Sequence, residues 1–247
     1  MKLLNKLDLQ GFKNLEGLEN LKLKTLNFKL KICGMKYAEN IRAVAALQPD
    51  YMGFIFYEKS KRFVGEELDA ELLLSLKNIK KVGVFVDAEK EYIIEKIKKY
   101  NLDFIQLHGN ETAEFCKELT APPDLPKGEE IRDGNCEVKL IKAFGVNEKF
   151  DFDVLNDYKP YCDYFLFDTK TESFGGSGKS FDWKVLEKYA HEIPFFLSGG
   201  IGLEEISNFK FQISNFTPFA IDVNSKFEIE AGLKDVGKLG KLIKNNL

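Results

Sequence analysis

From about residue 28 onward the chain repeats one pattern. A short apolar run rich in β-branched and aromatic residues is followed by glycine or polar punctuation, then by an amphipathic stretch. The runs are FKLKIC (28–33), YMGFIF (51–56), KVGVFV (81–86), DFIQLH (103–108), VKLIKAF (138–144), YFLFD (164–168), IPFFLS (193–198) and FAIDV (219–223). Between them, residues 38–47, 89–100 and 182–190 place apolar side chains at three- and four-residue spacing, which predicts helices packed by one face. Strand–helix alternation implies parallel strands joined by right-handed crossovers. Eight such units predict an α/β fold of the closed (β/α)₈ TIM-barrel type over residues 28–247. An open doubly wound sheet is the alternative, but it usually has fewer strands and leaves edges.

Three segments break the rhythm. Residues 1–27, with Leu15, Leu18, Leu21, Leu23 and Leu26 among Asn and Lys, form an N-terminal extension, read either as a loosely ordered tail or as a cap on the barrel. Residues 120–137 hold Pro122, Pro123, Pro126, Gly128 and Gly134 and read as a surface loop. Residues 207–217 repeat Ser-Asn-Phe and read as an insertion on the outer ring.

Composition narrows the class of partner. Apolar residues make up 44% and charged residues 30%, as in ordinary globular chains, and the net charge is −3. No global basic field exists, so nucleic acid is not an expected partner. The start, MKLLNKLDLQ, lacks the apolar core of a secretory signal, and no run approaches the ~20 residues of a membrane span. Four cysteines without C-x-x-C spacing fit a reducing cytoplasm. Two histidines, His108 and His191, make a metal site a poor expectation.

In a barrel of this kind, chemistry sits at the C-terminal ends of the strands. Those ends read Lys31-Ile32-Cys33-Gly34, then Tyr57-Glu58-Lys59-Ser60-Lys61-Arg62, Gln106-Leu107-His108-Gly109, Asp168-Thr169, Ser198-Gly199-Gly200 and Asp222-Val223-Asn224-Ser225. The loop after the sixth run carries Gly175-Gly176-Ser177-Gly178-Lys179. Position alone leaves each ambiguous. A cysteine at a strand end is more often a buried, inert thiol, an aspartate there is commonly a cap, and a glycine pair is commonly a turn. Lys31 lies two residues before Cys33, on the same strand face, where its ammonium would favour a thiolate. Asp222 is the candidate neighbour that would raise the pKa of Asp168.

The set K-x-C-G, G-F-I-F-Y-x-K-S-K-R, V-G-V-F-V, Q-L-H-G, F-D-T-K-T-x-x-x-G-G-S-G-K-x-F-D-W, L-S-G-G and D-V-x-S resembles the phosphoribosylanthranilate isomerase family over residues 29 to 245. The resemblance implies an aldose–ketose isomerisation, the Amadori rearrangement of N-(5-phosphoribosyl)anthranilate in tryptophan biosynthesis, with no metal or redox cofactor. It implies Cys33 as general base, Asp168 as general acid and Arg62 as anchor for the anthranilate carboxylate, through two parallel N–H donors. Phosphate is expected at Gly199, Gly200, Asn224 and Ser225, joined by Gly176 and Ser177 from the loop after the sixth run. Gln106, His108 and Asp222 are expected to line the substrate pocket. The expected partner is a small phosphoribosyl molecule, and the expected state is a cytoplasmic monomer or homodimer. Two departures stand out. About 30 residues precede K-x-C-G, and Asn224-Ser225-Lys226-Phe227-Glu228 replaces the usual S-S-G-V-E, losing a glycine beside the expected phosphate site. Rival readings are another phosphosugar barrel and a phosphate-binding homologue without turnover.

Overall fold

The computed structural model describes residues 28–65, 68–120, 138–170, 182–190, 192–206 and 217–246. The expected extension 1–27, the loop 120–137 beyond its first residue and nearly all of 207–217 lie outside them. The strands are β1 (Lys29–Ile32), β2 (Tyr51–Ile55), β3 (Lys80–Phe85), β4 (Phe104–Leu107), β5 (Lys139–Val146), β6 (Tyr164–Thr169), β7 (Phe195–Leu197) and β8 (Ala220–Val223). Every neighbouring pair is parallel, and β8 pairs with β1, so the barrel is closed. All eight predicted runs are strands, each shifted by a residue or two at its ends.

Outside the barrel lie α1 (Ala38–Ala45), α2 (Ala70–Ser75), α3 (Lys90–Tyr100), α4 (Ala113–Thr120) and, at the C-terminus, α5 (Val236–Asn246). Each local start has a cause. Asp69 accepts from the Glu71 N–H to cap α2, and Thr112 Oγ1 accepts from the Phe115 N–H at the start of α4. Asn101, at φ 48°, ends α3 in the left-handed conformation. The α3 residues Ile93, Ile97 and Tyr100 are buried at the predicted spacing.

One predicted helix is different. Residues 182–190 form a 3-10 turn, Trp183–Lys188, capped by Asp182. Its buried residues include Trp183, Leu186 and Tyr189, a spacing of three, which suits a helix with three residues per turn. A second 3-10 turn, Phe152–Asp157, stands between β5 and β6.

Strand alternation divides the core in two. Outward side chains pack against the helices, and inward ones fill the barrel. At the lower, N-terminal end the interior is aromatic: Tyr51, Phe104, Tyr164, Phe196 and Phe219 meet edge-on or tilted, with ring centroids 4.7–6.4 Å apart. The Lys29 ammonium sits 4.6 Å from the Phe219 ring centre. Around this plug an aspartate just before each of three strands fastens the preceding strand. Asp50 accepts from the Leu30 N–H, Asp103 from the Lys81 N–H and Asp163 from the Leu140 N–H, each at 2.8 Å. A parallel ladder leaves such strand-start groups without intrinsic partners, and these carboxylates supply them.

After β8 the chain makes a 3-10 turn, Ser225–Phe227, and a small antiparallel hairpin of β9 (Glu228–Glu230) and β10 (Leu233–Lys234). Asn40 of α1 grips this hairpin, donating to the Lys234 carbonyl at 2.9 Å and accepting from its N–H at 2.8 Å. No helix among the described residues is long and apolar enough to cross a membrane.

Candidate active site

Inward positions continue up the strands to the C-terminal mouth, where they turn polar. A cleft of about 770 Å³, open solvent included, is lined there by Cys33, Arg62, Gln106, His108, Asp168, Gly199, Gly200, Asp222, Asn224 and Ser225, with Tyr57, Ser60, Ser198 and Lys226 among its further neighbours. Its place at the C-terminal ends of the strands is where barrels of this kind bind their ligands. Every expected site residue within the described chain therefore faces one space. Gly176 and Ser177 lie outside the described residues.

Lys31 and Asp222 stand opposite each other in the β1–β8 register and form a buried ion pair, Nζ to Oδ1 at 2.9 Å. Cys33, just past the end of β1, is the next inward residue, within hydrogen-bond reach of the Lys31 ammonium. Burial disfavours that ammonium, but Asp222 and Cys33 outweigh it and hold Lys31 above its ordinary value. The expected thiolate-favouring effect of Lys31 is present but does not prevail. Burial pushes the Cys33 thiol up, and Lys31 opposes this without reversing it. The physical reason is the desolvation of a buried thiol, to which the Asp222 charge adds.

Room for Cys33 comes from a glycine. A Cβ on Gly53 of β2 would lie 2.7 Å from the Cys33 Sγ, so a larger residue there would displace the thiol. A glycine inside an apolar strand signals such a close approach, and this one stood unread in YMGFIF.

Asp168 ends β6, separated from β1 by β7 and β8. Its Oδ1 accepts from the Thr169 N–H at 2.7 Å, and its Oδ2 lies 3.4 Å from His108 Nε2. The Gln106 side-chain amide lies 2.7 Å from His108 Nδ1 and holds the ring with its Nε2 toward Asp168. Asp222 is thus engaged with Lys31, and the direct neighbour of Asp168 is His108. Gly199, at φ 95°, makes the turn after β7 tight against this carboxylate: a Cβ there would meet the Thr169 nitrogen at 2.8 Å and Asp168 Oδ1 at 3.0 Å.

The turns Gly199-Gly200 and Asn224-Ser225 stand side by side, because β7 and β8 are adjacent. Gly200 is also at positive φ, 63°. Among the described residues no internal backbone hydrogen bond uses the N–H of Gly199, Gly200 or Ser225. Such a pair of turns presents free donors to an anion.

Arg62 carries a partner that sequence reading missed. Its Nε lies 2.9 and 3.0 Å from the two Glu228 oxygens, and its Nη2 is 2.7 Å from Oε2. The Nε–Nη2 edge of the guanidinium is thus occupied by Glu228. Glu228 also accepts from Lys234 Nζ at 2.7 Å, and that ammonium donates to Asn224 Oδ1 at 2.7 Å.

The other buried thiols stand elsewhere. Cys116 of α4 and Cys162 before β6 hydrogen-bond each other near Lys142, behind the sheet. Lys142 faces outward from β5 and pairs with Glu111 at 3.1 Å.

A family profile described as N-(5'phosphoribosyl)anthranilate (PRA) isomerase matches residues 30–245, the barrel and its hairpin together. The chain belongs to this isomerase family. A relative from Parabacteroides distasonis named N-(5'-phosphoribosyl)anthranilate isomerase is 46% identical over 228 residues, covering 88% of this chain and 93% of the relative. The crystal structure of the phosphoribosyl anthranilate isomerase from Thermotoga maritima aligns with a TM-score of 0.73 at 33% identity, covering 89% of this chain and 98% of that one. A further structure, at TM-score 0.66 and 30% identity over 89% of this chain and 98% of that one, is of a phosphoribosyl anthranilate isomerase in complex with reduced 1-(o-carboxyphenylamino)-1-deoxyribulose 5-phosphate. Phosphoribosylanthranilate isomerase membership thus covers the whole described barrel.

Proposed function

We propose that this isomerase converts N-(5-phosphoribosyl)anthranilate to 1-(2-carboxyphenylamino)-1-deoxyribulose 5-phosphate, with Cys33 and Asp168 as its base and acid. The observation that carries the reading is a single cleft in which the β1 thiol and the β6 carboxyl face one space, with a guanidinium and two glycine-bearing turns around them. Asp168 protonates the ring oxygen as the C1′–O bond breaks, leaving an iminium between C1′ and the anthranilate nitrogen. Cys33 takes the proton from C2′, and the electrons move into the iminium to give an enol-amine. Proton return from Cys33 to C1′, with the C2′ hydroxyl proton passing to the Asp168 carboxylate, gives the ketose and restores both groups. Oxidation at C2′ balances reduction at C1′, so the reaction consumes no external oxidant or reductant.

Cys33 acts from its thiolate form: burial pushes the thiol up, and the Lys31 ammonium opposes this. The cationic iminium beside Cys33 enlarges the thiolate fraction at the step that uses it, the thiol proton passing to solvent. Gly199, Gly200, Asn224 and Ser225 hold the phosphate, joined by Gly176 and Ser177. Arg62 holds the anthranilate carboxylate by its remaining Nη edge, while Gln106, His108 and Asp222 complete the pocket. The chain works in the cytoplasm as a monomer or homodimer; the Thermotoga maritima relative is described as dimeric.

Fluorescence decay of phosphoribosylanthranilate, generated in situ, tests the reading. Rapid enzyme-dependent loss of the anthranilate-type signal is expected. A folded protein that binds the substrate without accelerating the decay would overturn it.

A further inference from the structure

Glu228 has no part in the acid–base sequence, yet it is the most heavily engaged carboxylate at the mouth. Arg62, Lys234 and the Gly232 N–H all donate to it, the last at 3.1 Å. Lys234 is fully buried, and the Glu228 side chain is only 5% exposed. This platform is rigid for a stated reason: Asn40 of α1 clamps the Lys234 backbone from both sides. Two cations share one anion, so the cluster keeps one net positive charge, and Arg62 is the member that lines the cleft. The Arg62 Nη1 makes no hydrogen bond among the described residues.

We infer that Glu228 is the positioning residue for Arg62: by gripping the Nε–Nη2 edge it fixes the guanidinium plane and leaves the Nη1–Nη2 edge as the seat for the substrate carboxylate. Lys234 also donates to Asn224 Oδ1 at 2.7 Å, so its own position does not depend on Glu228 alone. The role given to Glu228 rests on the isomerase reading. A bidentate partner costs Arg62 its rotamer freedom before the ligand arrives, so less is lost on binding. The arrangement also lets two cations stand close together without repelling each other apart.

The test uses two substrates, phosphoribosylanthranilate and its carboxylate-free counterpart made from aniline, on the wild type, Glu228→Gln, Glu228→Asp and Arg62→Ala. With phosphoribosylanthranilate, Glu228→Gln is expected to raise KM about tenfold with kcat within about threefold, the signature of lost binding common to ground and transition states. With the aniline substrate the same variant is expected to change KM less than about twofold, because no carboxylate remains for Arg62 to meet. Glu228→Asp, which keeps the charge, is expected to fall between wild type and Glu228→Gln. The double variant with Arg62→Ala is expected to be no worse than Arg62→Ala alone, as for two residues acting as a unit. Equal losses on both substrates, or effects that add to those of Arg62→Ala, would reduce Glu228 to a structural strut and overturn the inference. A wild type that turns over neither substrate would instead overturn the isomerase reading, and the role of Glu228 with it.

Discussion

At the lower end of the barrel five aromatic rings fill the interior, and three aspartates fasten strand starts. At the upper end the same alternate positions hold Lys31, Cys33, His108, Asp168 and Asp222. The change is abrupt along single strands. On β4, Phe104 gives way to Gln106 and then His108; on β6, Tyr164 gives way to Leu166 and then Asp168. Two residues per inward step thus separate packing from chemistry by only a few ångströms. The lower half holds the barrel closed, and the upper half carries the charge and the glycine turns of the site.

The sharpest break between the halves is expected at Asp168. Asp168→Asn should lower kcat by about 10²–10⁴-fold, the usual worth of a general acid. Its melting temperature should stay within about 4 °C of wild type, since the side chain is partly exposed. The mirror-image change is Phe196→Ala in the plug. It should cost about 3–5 kcal/mol in urea unfolding while kcat per folded molecule is kept.

Lys31→Met crosses the divide. It strands a buried Asp222 carboxylate, which should cost about 3–5 kcal/mol, and it removes a charge beside Cys33, so kcat should fall as well. Retained activity in that variant would show that the ion pair serves packing alone.

The smallest effect is expected at the bottom edge. Burial opposes the Asp103 carboxylate, but the Lys81 N–H and the Lys80 and Lys81 ammoniums outweigh it and hold its pKa below the ordinary value. Stability from this lowered group is full above the unfolded pKa of about 3.9 and is lost as pH falls through the folded value. Asp103→Asn should therefore be less stable by about 1–2 kcal/mol at pH 7. The two proteins should converge as pH falls through the lowered folded value, as followed by denaturant titration.

Much of this was legible in the chain because it is local. Eight apolar runs and their punctuation gave the barrel, and each strand end named its own mouth residues. Residues 182–190 misled because a spacing of three and one of three-to-four look alike over so short a stretch. The support of the site was hidden for a different reason. Arg62 and Glu228 are 166 residues apart, and Lys31 meets Asp222 across 191. Only closure of the barrel brings them together. Lys31 does favour the thiolate, but burial in the closed barrel outweighs it, and that burial is not legible in the local sequence.

The division of labour between Cys33 and Asp168 is tested most directly with substrate deuterated at C2′. The decay should slow in both Cys33→Ser and Asp168→Asn. In Cys33→Ser proton abstraction limits the rate, so deuterium should slow it several-fold further. In Asp168→Asn ring opening limits the rate, and the isotope effect should fall toward one. Equal isotope effects in the two variants, or a Cys33→Ser rate matching wild type, would contradict the assignment of base and acid.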